Sequence, residues 1–424
     1  MNTRFEEILE YIKGLTIIDS HEHLPGREEF REKNTDILRE YLIHYFSSDL
    51  IAMGLKRAEM DYVRNVDKPL MERWDLVEPY WNLARNTGYG RALDLAAKDI
   101  YGIPRIERNT LEELNTRFLE TLKPDSGHFH RVLKEMSNIE YSVLDNYLNC
   151  DRKYFRSAYN IEGLVMPYNW SYIEKMEDRN GIPVTSLEDW LEVCASEIEQ
   201  AFIKGAITLK CALAYDRSLF FENVSRQEAE NGFNILLKQK GRPVWSEGMI
   251  QTTKAFQDYM MHYILRIANR KGLVVQIHTG LQEGNNNYIA NSDPTLLTNL
   301  FVQYTNVKFD IFHMGYPYQH TLSALAKLFP NVYLDMCWAH IISPAASIST
   351  LDEWLDSVPI GKIIAFGGDY ILVDGVYAHQ KMARYNISKV LADKVEEGIF
   401  DLDTVKWMAQ RMLYENPKAL YEKQ

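Results

Sequence analysis

One feature constrains this chain more than any other. A short apolar, β-branched run recurs along it, and a loop and a helical stretch follow. The runs fall at residues 16–21, 141–147, 161–167, 206–213, 273–279, 307–313, 332–336 and 362–369. Helix-like stretches at 187–202, 254–270, 321–329 and 351–357 separate the later ones. Short buried strands alternating with helices indicate parallel βαβ units. Eight in succession predict an α/β protein built as a closed (β/α)8 TIM barrel. An open doubly wound sheet is the competing arrangement. No G-x-G-x-x-G follows the first run, so dinucleotide binding has no support.

The spacing is uneven in one place. About 110 residues separate the first run from the second, too many for a plain connection. The segment 24–135 reads as helical, with turn signals at Asn86-Thr87-Gly88 and Gly102-Ile103-Pro104. The expected organisation is a barrel from 1–23 and 136–424, with 24–135 as a helical insertion subdomain over the catalytic mouth. A second insertion, 215–247, follows the fourth run as a lid or an oligomer contact.

Composition narrows the class of partner. The chain has 424 residues, with 47 basic against 59 acidic side chains and a net charge of −12. That balance opposes sequence-independent nucleic-acid binding, which depends on Lys and Arg, and opposes docking on an anionic membrane. No run approaches ~18 uninterrupted apolar residues, so no membrane span is expected. Four cysteines, at 150, 194, 211 and 337, share no C-x-x-C spacing and read as reduced thiols. The charged first residues lack an apolar signal segment. The expectation is a cytoplasmic protein acting on a small molecule.

The chemistry sits at the ends of the runs. His21 and His23 end the first, and side chains at i and i+2 of a strand share a face. Alone, H-x-H is weak evidence for metal. But His278 ends the fifth run, His313 the sixth and Asp369 the eighth, with Lys210 near the end of the fourth. Four of the 11 histidines thus fall at the C-terminal ends of three strands, where active sites of such barrels lie. Glu247 and Glu283 lie in loops on the same side, and Trp338 and His340 follow the seventh run.

These residues resemble the amidohydrolase superfamily, in its amidohydrolase-related branch of TIM-barrel metal-dependent hydrolases. The resemblance rests on His21-x-His23, His278, His313-Met-Gly, Gly-Gly-Asp369-Tyr and the ending from Asn416-Pro417 to Leu420-Tyr421. It covers 15–24 and from about 140 to 424. The insertion, with its stretch from Arg85 to Arg91, looks like that of members whose substrate is unassigned.

The resemblance implies that His21, His23, His278 and Asp369 ligate one divalent metal, most often zinc, which suits neutral imidazoles and a carboxylate. Asp369 would then move a proton, and His313 would stabilise an oxyanion or orient water. A carboxylated Lys210 would bridge two ions, with His313 as a ligand of the second. A free Lys210 would instead join Tyr215 and Arg217 in holding a substrate carboxylate.

The function expected from this set is metal-dependent hydrolysis of a C–N or C–O bond, of amide, ester or lactone type, in a small carboxylate-bearing substrate. The alternatives are a decarboxylase of the same branch and a uronate-type isomerase. The fifth- and sixth-strand histidines fit the isomerase less well. A metal-bound scaffold without activity is the non-enzymatic reading. Superfamily habit points to a homo-oligomer.

Overall fold

The computed structural model describes residues 3–145, 148–240 and 248–422. Eight parallel strands form one sheet in chain order: β1 (Ile17–Glu22), β2 (Ile139–Asp145), β3 (Phe155–Asn160), β4 (Ala206–Cys211), β5 (Val274–Ile277), β6 (Lys308–Ile311), β7 (Val332–Asp335) and β8 (Ile363–Ile364). Backbone bonds bring the two ends together. Ser20 N donates to Phe366 O (3.2 Å), Asp369 N to His21 O (2.8 Å) and His23 N to Tyr370 O (3.0 Å). The protein is a (β/α)8 TIM barrel.

The strands form where burial is possible on both faces, as parallel sheets require. Every residue of β1 and β5 is buried. The helices between them carry local start and stop signals. Ser186 and Asp189 make reciprocal bonds that begin the helix Leu187–Ile203. Gly272, at φ 65°, ends the helix Lys254–Lys271 in the left-handed conformation.

Two runs differ from the sequence expectation. The third strand is Phe155–Asn160, and the apolar run at 161–167 contains the short helix Glu162–Val165 instead. Asn160 causes the switch, because its Oδ1 accepts from Glu162 N at 2.9 Å and turns the chain out of the sheet. The eighth run pairs only at Ile363–Ile364. Beyond it the backbone lies against side chains of β1. A Cβ at Gly367 would stand 2.3 Å from Ser20 Oγ, and one at Gly368 1.7 Å from Glu22 Oε1. The end of the second run, at 146–147, lies outside the described residues.

The segment 24–135 is helical, with helices such as Phe46–Ala52, Leu70–Ala84 and Gly88–Tyr101. Thr87 caps the last of these by accepting from Gly90 N (3.2 Å). Its apolar side chains, including Trp74, Trp81 and Leu93, belong to the same hydrophobic cluster as the barrel's outer helices. Gly88 abuts Ile341, in the segment after β7, so closely that a Cβ would lie 2.0 Å from that carbonyl oxygen. The segment is therefore packed onto the C-terminal side of the strands. In the second insertion, 215–240 carries the helix Arg226–Leu237; 241–247, with Glu247, lies outside the described residues.

Candidate metal centre

The end of β1 is anchored before any ligand chemistry is considered. Asp19 accepts from Gly368 N (2.9 Å), Ser142 Oγ (2.7 Å) and His21 N (3.3 Å). These bonds tie β1 to β2 and to the segment after β8. His21 and His23 then project together, their ring centres 4.9 Å apart.

Asp369 is the hub. Its Oδ1 lies 3.2 Å from His23 Nε2 and 3.9 Å from His21 Nε2, and its Oδ2 lies 3.9 Å from His313 Nε2. Burial works to raise the Asp369 carboxyl, but the His23 hydrogen bond and the imidazoles around it outweigh burial and hold it well below the usual range. His21 is pushed well below an ordinary imidazole by burial and by the Lys210 charge. His313 falls to about 4, mainly through burial. Both are neutral near pH 7, the form that ligates a metal.

The tautomers can be read from fixed partners. Gln276 donates through Nε2 to Ser20 O and to Tyr421 Oη, both at 2.9 Å. Its Oε1 therefore faces His21 Nδ1 (3.2 Å), which must carry the hydrogen. His21 Nε2 is left with a bare lone pair, buried and without a hydrogen-bond partner.

A second pair is more demanding. His313 Nδ1 lies 2.9 Å from Cys337 O, and His278 Nε2 lies 2.9 Å from Leu281 O. A carbonyl only accepts, so both nitrogens carry hydrogens. The remaining nitrogens, His313 Nε2 and His278 Nδ1, face each other at 2.8 Å. When neutral, both present lone pairs, and only a shared cation relieves that contact. Burial holds His278 well below the ordinary imidazole value as well, which disfavours a proton in that role. The donor set fits a divalent metal.

Among the described residues, two sets of ligand atoms lie within 4.8 Å of one another: His21, His23 and Asp369, and His313, Cys337 and Asp369. His278 joins neither set; it is held against His313. Burial pushes the Cys337 thiol well up, so it is protonated.

Left-handed backbone marks the ends of three strands, at His313 (φ 65°), Trp338 (φ 62°) and Asp369 (φ 58°). Such conformations cost about 1–3 kcal/mol each in a non-glycine residue and persist where the surroundings impose them.

The other candidates divide. Lys210 is buried with Nζ 4.0 Å above the Phe312 ring. Tyr215 packs its ring 4.7 Å from His278. Its hydroxyl accepts from the backbone N of Glu283 at 2.8 Å. Trp338 stacks on Tyr45 at 4.4 Å and meets His313 edge-on at 5.3 Å. Arg217 is not brought to the cluster. Its guanidinium is spent on Asp258 (2.6 Å), Gln257 (2.9 Å) and the carbonyls of Ser218 and Phe220. Its donors are turned inward to close the loop after β4. His340 is a satisfied core histidine, bonded to Ala365 O (2.9 Å) and Asn386 (3.3 Å).

Sequence reasoning passed over Tyr45, whose hydroxyl reaches the Asp369 carbonyl and, at 3.0 Å, its Oδ2. It also passed over Gln276. Gln276, on β5, precedes His278 by two, and that spacing was the available signal.

The amidohydrolase family model matches residues 228–423. The protein fluG of Emericella nidulans is 31% identical over 149 residues, covering 35% of this chain and 17% of that protein. A uronate isomerase of Caldanaerobacter subterraneus is 24% identical over 306 residues, 65% of this chain and 61% of that protein. The chain thus spans less than two thirds of either of these relatives. The uronate isomerase of Thermotoga maritima is 22% identical over 458 residues, 97% of this chain and 95% of that protein.

Solved structures agree in fold. The uronate isomerase from Thermotoga maritima superposes with a TM-score of 0.78 at 18% identity, covering 99% of this chain and 98% of the other. The glucuronate isomerase from Caulobacter crescentus gives 0.79 at 19%, covering 100% and 94%.

The chain is similar to the amidohydrolase superfamily, by its family model over residues 228–423 and by uronate isomerases along almost the whole length. The hydrolase expectation is overturned, because the relatives matched along almost the whole chain are isomerases. Among the described residues, no helix is long and apolar enough to cross a membrane.

Proposed function

We propose that this protein is a metal-dependent isomerase of the uronate type, interconverting the aldehyde and ketone forms of a small sugar acid. The observation that carries this reading is the extent of the relationship: the match to the Thermotoga maritima enzyme takes in 97% of the chain.

The chemistry of the site supports it. Aldose–ketose conversion removes a proton from C2 and delivers one to C1, while the hydroxyl proton moves from O2 to O1. No water is consumed, and water near the enediol is a hazard. Tyr45 and Trp338 wall the cluster with buried aromatic surface, and the segment 24–135 supplies Tyr45 as part of a cover over the mouth.

In this reading His21, His23, His278 and Asp369 hold one divalent ion, zinc by the chemistry of the donors. When bound, the ion polarises the substrate carbonyl. Asp369 is the ionised group that takes and returns a proton at its carboxylate oxygens. Burial and the Asp369 charge raise the Tyr45 phenol well above its ordinary value, so it stays a donor. His313 Nε2 would share that ion with His278 Nδ1, 2.8 Å away, and so hold it beside Asp369. The Lys210 ammonium, with Tyr215, meets the substrate carboxylate or the enediolate.

The test is turnover of a panel of hexuronates by the zinc-loaded protein, with proton NMR in D2O to follow ketose formation and deuterium entry at C1 of the ketose. Ketose appearing with exchange supports the reading. A zinc-loaded protein that leaves every hexuronate unchanged overturns it.

A further inference from the structure

We infer that Tyr421, in the last helix of the barrel, is a positioning residue for the metal centre, acting on His21 through Gln276. The inference rests on the reading of His21 as a metal ligand.

Gln276 Nε2 has two hydrogens and two acceptors at 2.9 Å, Ser20 O and Tyr421 Oη. The backbone carbonyl fixes which end of the amide is nitrogen, so the amide cannot turn over without facing a carbonyl with an oxygen. With Nε2 fixed, Oε1 must accept from His21 Nδ1. Tyr421 has one hydroxyl hydrogen, which goes to Asp310 Oδ2. The chain of bonds therefore runs one way, from His21 through Gln276 and Tyr421 to Asp310, and each hydrogen has one acceptor. Its upper end sets the His21 tautomer that leaves Nε2 bare.

The placement makes this more than core packing. Gln276, Asp310, His21 and Tyr421 are all buried. Gln276 pairs in register with Asp310 across β5 and β6, so neighbouring strands present both groups. Tyr421 comes from outside the sheet, on the helix Asn416–Tyr421. Its ring packs in a small apolar cluster with Ile18, Val143, Val274 and Ile364. One side chain thus closes the barrel's interior and reaches the group that orients a ligand. Filling that volume asks only for a phenyl ring. The hydroxyl is needed only for the polar chain.

Partners that orient a ligating histidine typically change metal affinity by 10- to 100-fold when removed. The experiment compares metal-free wild type, Tyr421→Phe, Gln276→Leu and Leu420→Val. Zinc affinity is measured by competition with a chromophoric chelator, the Co2+-loaded forms by visible absorption, and the metal-free forms by thermal unfolding. Leu420→Val disturbs the same cluster without touching the polar chain.

The expected result is zinc binding weakened roughly tenfold in Tyr421→Phe and up to roughly 100-fold in Gln276→Leu, with shifted Co2+ spectra in both. Leu420→Val keeps wild-type affinity and spectrum whatever its melting temperature. Wild-type affinity and spectra in both Tyr421→Phe and Gln276→Leu overturn the inference while leaving the metal reading intact. Equal losses in Leu420→Val and Tyr421→Phe also overturn it, as an effect of packing. A wild-type protein that binds neither zinc nor cobalt overturns the metal reading and the inference together.

Discussion

Tyr45 and Asp369, 324 positions apart, are joined by a hydrogen bond of 3.0 Å from the phenol to Oδ2. The bond connects the helical insertion to the carboxylate at the centre of the ligand cluster. It makes a segment outside the barrel part of the site's electrostatics. Tyr45 is held further by stacking on Trp338, whose left-handed backbone turns its ring toward His313.

Tyr45→Phe keeps the ring and removes the donor. A hydrogen bond to a charged group is worth about 1.5–3 kcal/mol, so kcat is expected to fall roughly 10- to 100-fold. The circular dichroism spectrum should not change, because the stacking partners remain. Steady-state kinetics on the hexuronate turned over by wild type checks this. An unchanged kcat means the phenol is only part of the wall.

Arg217 tests a reading that the structure redirects. Its guanidinium holds Asp258, which is fully buried and also meets Lys254 at 2.5 Å. Removing one partner of a buried pair costs about 3–5 kcal/mol, and the remaining lysine places this case near the low end. Arg217→Met is expected to lower stability to urea by about 3 kcal/mol and to leave KM unchanged. A KM raised tenfold with normal stability would return Arg217 to the substrate.

These cases show what the sequence can carry. Strands buried on both faces write themselves as apolar runs, which is why seven of the eight barrel positions were legible. Phe155–Asn160 was not, because Arg156, Ser157 and Asn160 interrupt it and the apolar stretch follows in a helix. His21, His23, His278, His313 and Asp369 were legible from their place at strand ends. Gln276 had a usable signal in its spacing from His278. Tyr45 and Tyr421 had none. Tyr421 reaches the site from a helix and Tyr45 from the residue before one, the positions of both helices are set by packing across the whole molecule, and no local period records that. Arg217 misled because a cation near a strand end reads the same whether it faces a substrate or an inward carboxylate.

Acid should weaken the fold through His340. Buried against Ala365 O, it titrates at about 4 in the folded protein, from an ordinary 6.5, and burial is the main cause. As pH falls below 6.5 the unfolded chain takes up a proton that the folded protein refuses. Stability is therefore full above 6.5, falls between 6.5 and about 4, and changes no further from this group below that. For this residue alone, linkage gives a loss of about 2 kcal/mol between about pH 7.5 and about pH 5. His340→Gln should show a correspondingly flatter dependence in urea titrations at the two pH values. Identical slopes for the two proteins would show that His340 is protonated in the fold.

Lys210 separates binding from stability most sharply. It is 2% exposed, and among the described residues its Nζ makes no hydrogen bond or ion pair. The Phe312 face lies 4.0 Å from it, and the carboxyls of Asp310 and Glu162 feel its charge without contacting it; a cation–π contact of about 2 kcal/mol and charges at that remove do not match a direct ion pair. A charge buried without a direct partner costs the fold, and in the proposed reading an incoming carboxylate supplies that partner. Lys210→Met keeps the length of the side chain and removes the charge. The free protein should gain about 1–2 kcal/mol in urea unfolding. In the same variant, kcat/KM for a uronate should fall roughly 100-fold, while turnover of the corresponding aldose, which lacks the carboxylate, should change little. Equal losses on both sugars would place the ammonium at the reacting carbons instead of at the carboxylate. A loss of stability would show that the charge is balanced within the fold and is not held for a ligand.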